Sequence, residues 1–169
     1  MLDLVPELCD RYPELLQILP PIFHQYGTKH SFYGAAETVR CWEDNSLVRE
    51  CLNHLGKGRV LVIDGGGMPR RALLGDQLAK LAIANGWAGI VVFGYIRDVD
   101  AISSLPIGVA ALGATPMKTD KKGMGEHNVP LHIHGAHIHP DNWVYADRNG
   151  IIISQQPLPN LAEIIAGGE

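Results

Sequence analysis

Cysteine is scarce in this chain of 169 residues. The three cysteines, Cys9, Cys41 and Cys51, form an odd number without a close pair, and the gap between Cys41 and Cys51 matches no zinc-binding spacing. A disulfide framework and a cysteine-based zinc motif are therefore both disfavoured. We expect reduced thiols in a cytoplasmic protein, present as small buried side chains.

The chain also has few positively charged residues and no long apolar run. Lysine and arginine number 14 against 18 aspartates and glutamates, so the net charge is −4 and a broad nucleic-acid surface is disfavoured. The longest apolar runs are too short to cross a bilayer. The first residues, which include Asp3, Glu7 and Asp10, lack the basic start of a signal peptide. We expect no membrane and no direct nucleic-acid partner.

Glycine, in contrast, is abundant. Nineteen glycines are too many for a helical bundle, whereas 46% hydrophobic residues suffice for a core that needs no disulfide or metal. The length corresponds to one domain, which we place at residues 1–169.

The middle of the chain predicts a βαβ unit. Residues 59–63 (RVLVI) and 89–93 (GIVVF) are compact β-branched runs, typical of buried strands. Residues 75–85 lie between them and have one apolar helical face. Such a unit pairs its strands in parallel through a right-handed crossover. A third short strand is expected at 108–112.

The remaining segments flank this unit and end in a β-rich region. We expect an α/β fold whose C-terminal third is antiparallel. The other expected elements are a helix at 2–12, a turn or connector at 15–21, a strand pair at 31–42, a helix from Asp44 or Asn45 to about 55, a polar loop at 117–129, alternating residues at 131–139, strands at 143–146 and 150–154, and a helix at 160–166.

The start of the predicted helix at 75–85 could bind a small anion. Gly75, Asp76, Gln77 and Leu78 lie where free backbone N–H groups and the positive end of the helix dipole favour a carboxylate or phosphate. The structural alternative is that Asp76 only caps the helix, which contributes about 1 kcal/mol.

A charged pair follows the second buried strand. Arg97 and Asp98 come just after residues 89–93, and the carboxyl ends of strands are where open α/β sheets bind ligands. Arg97 could contact a carboxylate or a developing oxyanion, and Asp98 offers hard oxygen to Mg²⁺ or Mn²⁺. The alternative is that both are exposed groups or form a local salt bridge.

A glycine cluster follows the first buried strand. Gly65, Gly66 and Gly67 superficially suggest a dinucleotide-binding loop, but the G-x-G-x-x-G spacing is missing. A tight loop is therefore the favoured interpretation.

Two groups of basic side chains have mainly structural interpretations. Four histidines alternate with other residues near the C-terminus. We interpret them as the polar faces of exposed strands, in preference to a zinc site with four imidazole ligands. Three lysines in the polar loop favour a solvated face over an RNA or protein contact. These residues are His132, His134, His137 and His139, and Lys118, Lys121 and Lys122.

Several separated motifs together resemble one known family. The chain is similar to the regulators of ribonuclease activity A and the related 4-hydroxy-4-methyl-2-oxoglutarate aldolases, the RraA-like family. The similarity covers nearly the whole chain and is densest at 60–98. The matching segments are Asp10-Arg11-Tyr12, the DGGG, GDQL and RD motifs, Tyr145-Ala146-Asp147 and the GIIIS strand.

The resemblance implies a fold and a site. It implies a compact swivelling β/β/α sandwich and a homotrimer with sites at subunit boundaries. In aldolase members the G-D-x-L segment, here Gly75 to Leu78, binds the substrate carboxylate through backbone amides. The arginine of the R-D pair, here Arg97, contacts substrate, and the aspartate, here Asp98, supports a divalent metal.

The resemblance also implies an activity. We expect a metal-dependent (class II) lyase that uses Mg²⁺ or Mn²⁺ to cleave 4-hydroxy-4-methyl-2-oxoglutarate to pyruvate, with oxaloacetate decarboxylation as a side activity. Arg97 and Asp76 are the expected catalytic residues. The alternative is a regulator that binds and inhibits ribonuclease E. Ribonuclease regulators tend to lack the metal aspartate, so the presence of Asp98 favours the lyase.

Overall fold

A computed structural model describes residues 2–168. The strands are β1 (Leu16–Ile18), β2 (His24–Gln25), β3 (Phe32–Arg40), β4 (Val60–Asp64), β5 (Ala72–Leu74), β6 (Gly89–Ile96), β7 (Gly108–Ala114), β8 (Glu126–His127), β9 (Leu131–Ile133), β10 (Ala136–Ile138), β11 (Trp143–Asp147) and β12 (Gly150–Ser154). The helices are α1 (Leu4–Arg11), a short 3₁₀ turn (Pro13–Leu15), α2 (Ser46–Leu52), α3 (Asp76–Ala84), α4 (Val99–Ile102) and α5 (Leu161–Gly167).

One mixed sheet organises the molecule. Its strand order is β1-β12-β11-β3-β4-β6-β7-β2, with β5 paired to β6 and β8 paired to β3. The central strands β3, β4, β6 and β7 are parallel, whereas β12, β11 and β2 join the sheet antiparallel. The predicted βαβ unit is therefore confirmed as β4-α3-β6, and the antiparallel C-terminal third as β11-β12.

Both faces of the parallel strands are covered. Side chains of β4 alternate between two hydrophobic clusters: Leu61 and Ile63 pack with α2 and α3, and Val60 and Val62 pack with the β9-β10 hairpin. All five residues of β4 are buried, which explains its continuous apolar sequence. A third cluster joins α1 and α5 to β11 and β12. The result is a sandwich with a hairpin layer, a sheet layer and a helix layer.

Several segment predictions were wrong. Residues 15–21 are not only a connector, because β1 lies there and pairs with β12. Residues 31–42 do not form a strand pair, because they contain the single strand β3 (Phe32–Arg40), and α2 ends at Leu52, not near 55. The short strands β2, β5 and β8 were missed, since two or three residues carry no periodic signal.

The parallel strands bring distant loops to one edge. β4, β5, β6 and β7 all end at the same side of the sheet, where the segments after Asp64, Leu74, Ile96 and Ala114 begin. Candidate residues after β5 and β6 therefore become neighbours. Within residues 2–168, no helix is long and apolar enough to span a bilayer.

Candidate functional site

The turn at Gly75 and the end of β6 lie against each other. The backbone N–H of Asp76 donates a hydrogen bond of 3.0 Å to Oδ2 of Asp98. A Cβ on Gly75 would lie 2.6 Å from the same oxygen, so glycine is needed for this approach. The structure therefore joins the two segments that the sequence indicated separately.

Asp98 has an unusual backbone conformation. Its φ of 58° and ψ of 39° are left-handed, which costs a non-glycine residue about 1 kcal/mol or more. Two bonds of 2.9 Å hold the segment: Arg97 N–H donates to the Leu74 carbonyl, and Ile102 N–H donates to the Asp98 carbonyl. Residues held in such conformations cluster at ligand sites.

Arg97 is close to Asp98 but remains free to bind a ligand. Its Nε lies 4.0 Å from Oδ2 of Asp98, and 40% of its side chain is exposed. An ion pair with this separation and exposure is weak. The guanidinium can therefore still form a forked contact with a carboxylate.

Asp76 does not cap α3. The N-cap is Gly75, and Asp76 is the first helical residue. Its carboxylate lies 3.3 Å from Nζ of Lys80. Burial opposes ionisation, but hydrogen bonds with Lys80 and Asp98, the positive charge of Lys80 and a hydrogen bond from the Gln77 amide outweigh this and lower the pKa of the Asp76 carboxyl. Asp76 is therefore ionised beside Asp98.

The first turn of α3 has amides that the helix does not use. Ala79 is the first residue whose N–H bonds within the helix, to the Gly75 carbonyl at 3.1 Å. The amides of Gln77 and Leu78 precede it, at the positive end of the helix dipole. This arrangement suits an anion.

A loop after β7 closes the cleft. Thr119 Oγ1 donates a hydrogen bond of 2.7 Å to Oδ1 of Asn45, whose Nδ2 donates to the Leu73 carbonyl at 3.2 Å. Both bonds are buried. They tie the loop to the start of α2 and to β5, over the Gly75 turn.

The cleft is small and carries an excess of positive charge. Its volume is about 110 Å³. Its charged side chains are four cations and two carboxylates: Arg49, Arg97, Lys118 and Lys121, and Asp76 and Asp98. All three loop lysines are exposed, as the solvated-face interpretation expects, and the fold places two of them, Lys118 and Lys121, at the cleft. Asn45, Arg49 and Thr119 were missed because they lie far from the motifs in sequence.

The carboxylates of the cleft have donor atoms suited to a hard divalent cation. Asp98 keeps Oδ1 beyond its bonded Oδ2, and Asp76 adds further carboxylate oxygens. Mg²⁺ and Mn²⁺ prefer oxygen and commonly bind one or two carboxylates, with water and substrate completing the shell. The residues present therefore fit the expected cation.

The glycine cluster after β4 packs against neighbouring side chains. A Cβ on Gly65 would collide with Leu73, and one on Gly66 with the Trp42 ring. Gly66 and Gly67 also have positive φ, and Gly66 N–H donates to Oδ1 of Asp64 at 2.8 Å. The tight-loop interpretation therefore accounts for all three glycines.

The four histidines of the C-terminal hairpin are exposed. His132 and His137 are paired across β9 and β10, with their rings stacked 4.4 Å apart. His134 lies in the turn, edge-on to Phe93. This agrees with polar faces of exposed strands.

Several surface depressions are larger than the cleft. One of about 250 Å³ borders the cleft at Arg97 and Asp98, and one of about 260 Å³ lies at Trp42 and Asp44. Two others lie away from Arg97 and Asp98. One, of about 340 Å³, is at the β11-β12 turn, and one of about 400 Å³ lies beside β1. Neither is lined by Arg97 or Asp98. The smaller cleft remains the better candidate, because helix amides, carboxylates and cations meet there.

Comparison with known proteins identifies several relatives of this chain. A protein of Ectopseudomonas mendocina (strain ymp) named "Putative 4-hydroxy-4-methyl-2-oxoglutarate aldolase" is 56% identical over 155 residues, which are 92% of this chain and 96% of that protein. The solved structure of the RNA-processing inhibitor RraA from Thermus thermophilis has a TM-score of 0.91 at 42% identity, covering 95% of this chain and 97% of that one.

A third protein has a different name. The crystal structure named S-adenosylmethionine: 2-dimethylmenaquinone methyltransferase, from Geobacillus kaustophilus HTA426, has a TM-score of 0.88 at 44% identity and covers 91% of this chain and 96% of that one. The family model described as RraA-like, Aldolase/RraA, matches residues 5–153. The chain therefore belongs to the RraA-like family.

Proposed function

We propose that this protein is a divalent-metal-dependent aldolase that cleaves 4-hydroxy-4-methyl-2-oxoglutarate to pyruvate. The observation that carries the proposal is the hydrogen bond between the Asp76 amide and the Asp98 carboxylate. It joins an anion-binding helix start to a candidate metal carboxylate within one small cationic cleft. The name of the relative at 56% identity supports the same reaction.

The charge of the cleft suits this substrate class. A 2-oxo diacid carries two negative charges. The cleft has four cationic side chains but only two carboxylates of its own, so its excess positive charge matches the charge of the substrate. The amides of Gln77 and Leu78 would bind one substrate carboxylate, and Arg97 would neutralise charge on the reacting oxygen. Lys118 and Lys121 would attract the second carboxylate.

The reaction needs stabilisation of an enolate. Loss of the C4 hydroxyl proton turns that C–O bond into the carbonyl of one pyruvate as the C3–C4 bond breaks. The electron pair left on C3 delocalises onto the C2 oxygen, and protonation at C3 then gives a second pyruvate. A divalent cation, when bound, supplies Lewis-acid stabilisation of that oxygen. Asp98 would hold the cation, Asp76 would orient its water, and Arg97 would donate hydrogen bonds to the developing oxyanion. Loss of one such donor costs about 3 kcal/mol in the barrier.

Oxaloacetate decarboxylation would use the same residues. When the C3–C4 bond of oxaloacetate breaks, C4 leaves as CO₂ and the same electron pair stays on C3, where protonation gives pyruvate. We therefore propose this as a side activity of the same cleft.

The proposal is tested by pyruvate release. The wild-type protein should release pyruvate from the hydroxy-oxo diacid with Mg²⁺ or Mn²⁺, and a chelator should abolish release. Asp98→Ala should lose most of this turnover. Asp98→Asn is the sharper variant, because asparagine tolerates the left-handed backbone but removes the charge. Asp100→Ala, which changes an exposed carboxylate on α4, is the matched control.

Two results would overturn the proposal. One is turnover that persists undiminished in the chelator. The other is full turnover in both Asp98 variants while the Asp100 control behaves as wild type.

A second candidate function is supported by the likeness to the RNA-processing inhibitor from Thermus. In this role the protein would bind ribonuclease E and inhibit RNA cleavage without any metal. Purified ribonuclease E should then be retained by the immobilised protein, equally by wild type and Asp98→Asn. Absence of retention and of inhibition would exclude this role.

A further inference from the structure

Three side chains from separate elements meet on the helix-covered face of the sheet, outside the candidate cleft. Glu37 lies in β3, Cys51 in α2 and His127 in β8. One potential ligand atom from each lies within 4.8 Å of the other two. We propose that Glu37, Cys51 and His127 form a binding site for a borderline transition-metal ion of the Zn²⁺ type.

The geometry of two of the ligands suits tetrahedral coordination. Nε2 of His127 lies 3.5 Å from Oε2 of Glu37. Two ligands about 2.0–2.2 Å from one zinc ion are separated by such a distance when the angle between them is roughly tetrahedral. A cation between them requires no large movement of either side chain.

Neighbouring groups orient these ligands. Oε1 of Glu37 faces Nε of Arg59 at 3.8 Å, which leaves Oε2 turned toward His127. β8 is fixed beside β3 by the pairing of His127 with Val39 and by the bond from Asn128 N–H to the Thr38 carbonyl, 2.9 Å. The backbone pairing of β8 therefore keeps the imidazole of His127 beside the carboxylate of Glu37.

The donor set selects a particular class of metal. A thiolate, an imidazole and one carboxylate oxygen favour Zn²⁺ or Co²⁺ over Mg²⁺, which prefers oxygen alone. Cys51 is buried, whereas 43% of the His127 side chain is exposed. An ion at this point would thus have a protected sulfur on one side and a position open to water on the other.

The thiol is protonated before the ion binds. Burial, together with the charge of Glu37, raises the pKa of Cys51 to about 12. Metal binding would replace the thiol proton by a sulfur–metal bond and release that proton to solvent.

The site would fasten the segment that closes the cleft. Residues 115–128 run from the end of β7 through Lys118 and Lys121 to β8, and hydrogen bonds from Thr119 to Asn45 and from the Lys122 and Met124 amides to Asp44 already hold their middle part. An ion at His127 would tie the far end of this segment to α2 and β3. The site does not depend on the proposed aldolase activity.

Cobalt provides a direct test. The demetallated full chain is titrated with Co²⁺ in excess Mg²⁺, which saturates any oxygen-only site. We expect one equivalent to produce a thiolate-to-cobalt charge-transfer absorption band and to release one proton. Added Zn²⁺ should displace the cobalt and remove the band.

Variants assign the ligands. His127→Gln and Glu37→Gln should each weaken Co²⁺ affinity at least about tenfold, the lower end of the loss seen when even an outer-shell partner is removed. Cys51→Ala should abolish the charge-transfer band. The matched controls are His132→Gln, an exposed hairpin histidine, and Cys9→Ala, a cysteine distant from the site; both should titrate as wild type. Asp98→Asn should also keep the band, which separates this site from the cleft.

Two outcomes would overturn the inference. One is wild-type protein that gives no thiolate-to-cobalt band. The other is a band of unchanged affinity in both His127→Gln and Glu37→Gln, with circular dichroism showing that these half-exposed positions leave the fold intact.

Discussion

Single residues at the cleft depend closely on one another. Asp98 accepts the Asp76 amide through Oδ2 while its backbone is held left-handed, and Gly75 leaves just enough room for that oxygen. The φ of Gly75 is −133°, which any residue can adopt. Glycine at this position therefore serves the contact with Asp98 and not a special backbone conformation.

Gly75→Ala should separate activity from stability. The new methyl group would lie 2.6 Å from Oδ2 of Asp98 and must push the carboxylate aside. Displacement of a catalytic group by about 1 Å can reduce the rate about a hundredfold. We expect kcat/KM for the hydroxy-oxo diacid to fall by that order while the melting temperature changes little. Ala84→Gly, at the far end of α3, is a control that should change stability but not kcat/KM.

At the scale of elements, Asp44 connects the start of α2 to the loop after β7. Its carboxylate accepts hydrogen bonds from Ser46 N–H and Oγ and from the amides of Lys122 and Met124, at 2.6 to 3.0 Å. Burial alone would raise the pKa of this carboxyl, but these hydrogen bonds outweigh burial and lower the pKa to about 2.

This depressed pKa predicts a defined loss of stability in acid. The pKa of Asp44 falls from an ordinary 3.8 to about 2 on folding. Its contribution, about 2 kcal/mol, is therefore complete above about pH 4 and disappears as the pH falls toward 2. Urea unfolding across this range should show wild type losing its advantage over Asp44→Asn. Asp10→Asn, an exposed carboxylate on α1, should follow wild type; a constant difference between wild type and Asp44→Asn would contradict the prediction.

At the scale of the whole molecule, apolar side chains remain exposed at the sheet edge and beside the cleft. Ile18 on the edge strand β1 is 67% exposed, and Trp42 and Met124 near the cleft are also exposed. Exposed apolar surface of this kind often marks contacts between chains. The homotrimer and the single domain over 1–169 stay predictions.

Sedimentation measures the assembly directly. A homotrimer should sediment with three times the 18.4 kDa mass of the chain at micromolar concentration. Replacing the exposed Ile18 by lysine tests whether the β1 edge contributes, since a charge there should shift the equilibrium toward smaller species if β1 lies in an interface. A wild-type mass of one chain would contradict the trimer.

Much of the fold could be predicted from local pattern. The runs at 59–63 and 89–93 are almost continuously apolar, as strands buried on both faces require, and α3 has one apolar face. These local patterns identify the three elements without knowledge of their partners. The positions of the Gly75 turn and of Arg97 and Asp98 follow from the same unit, because both lie where elements begin or end. β1, β2, β5 and β8 could not be predicted, because they have only two or three residues and are strands only through their pairing with neighbouring strands.

The residues that complete each site could not be predicted from local sequence patterns. Asn45, Thr119 and Lys121 line the cleft only because parallel strands carry distant loops to one edge of the sheet. Glu37, Cys51 and His127 meet only because β8 and α2 both close on β3. Hydrophobic patterns and short motifs depend on residues that are neighbours along the chain. The sequence by itself therefore predicted the βαβ unit and the candidate segments at Gly75 and at Arg97 and Asp98. Contacts across long sequence separations depend on register and packing, and the folded molecule alone establishes them.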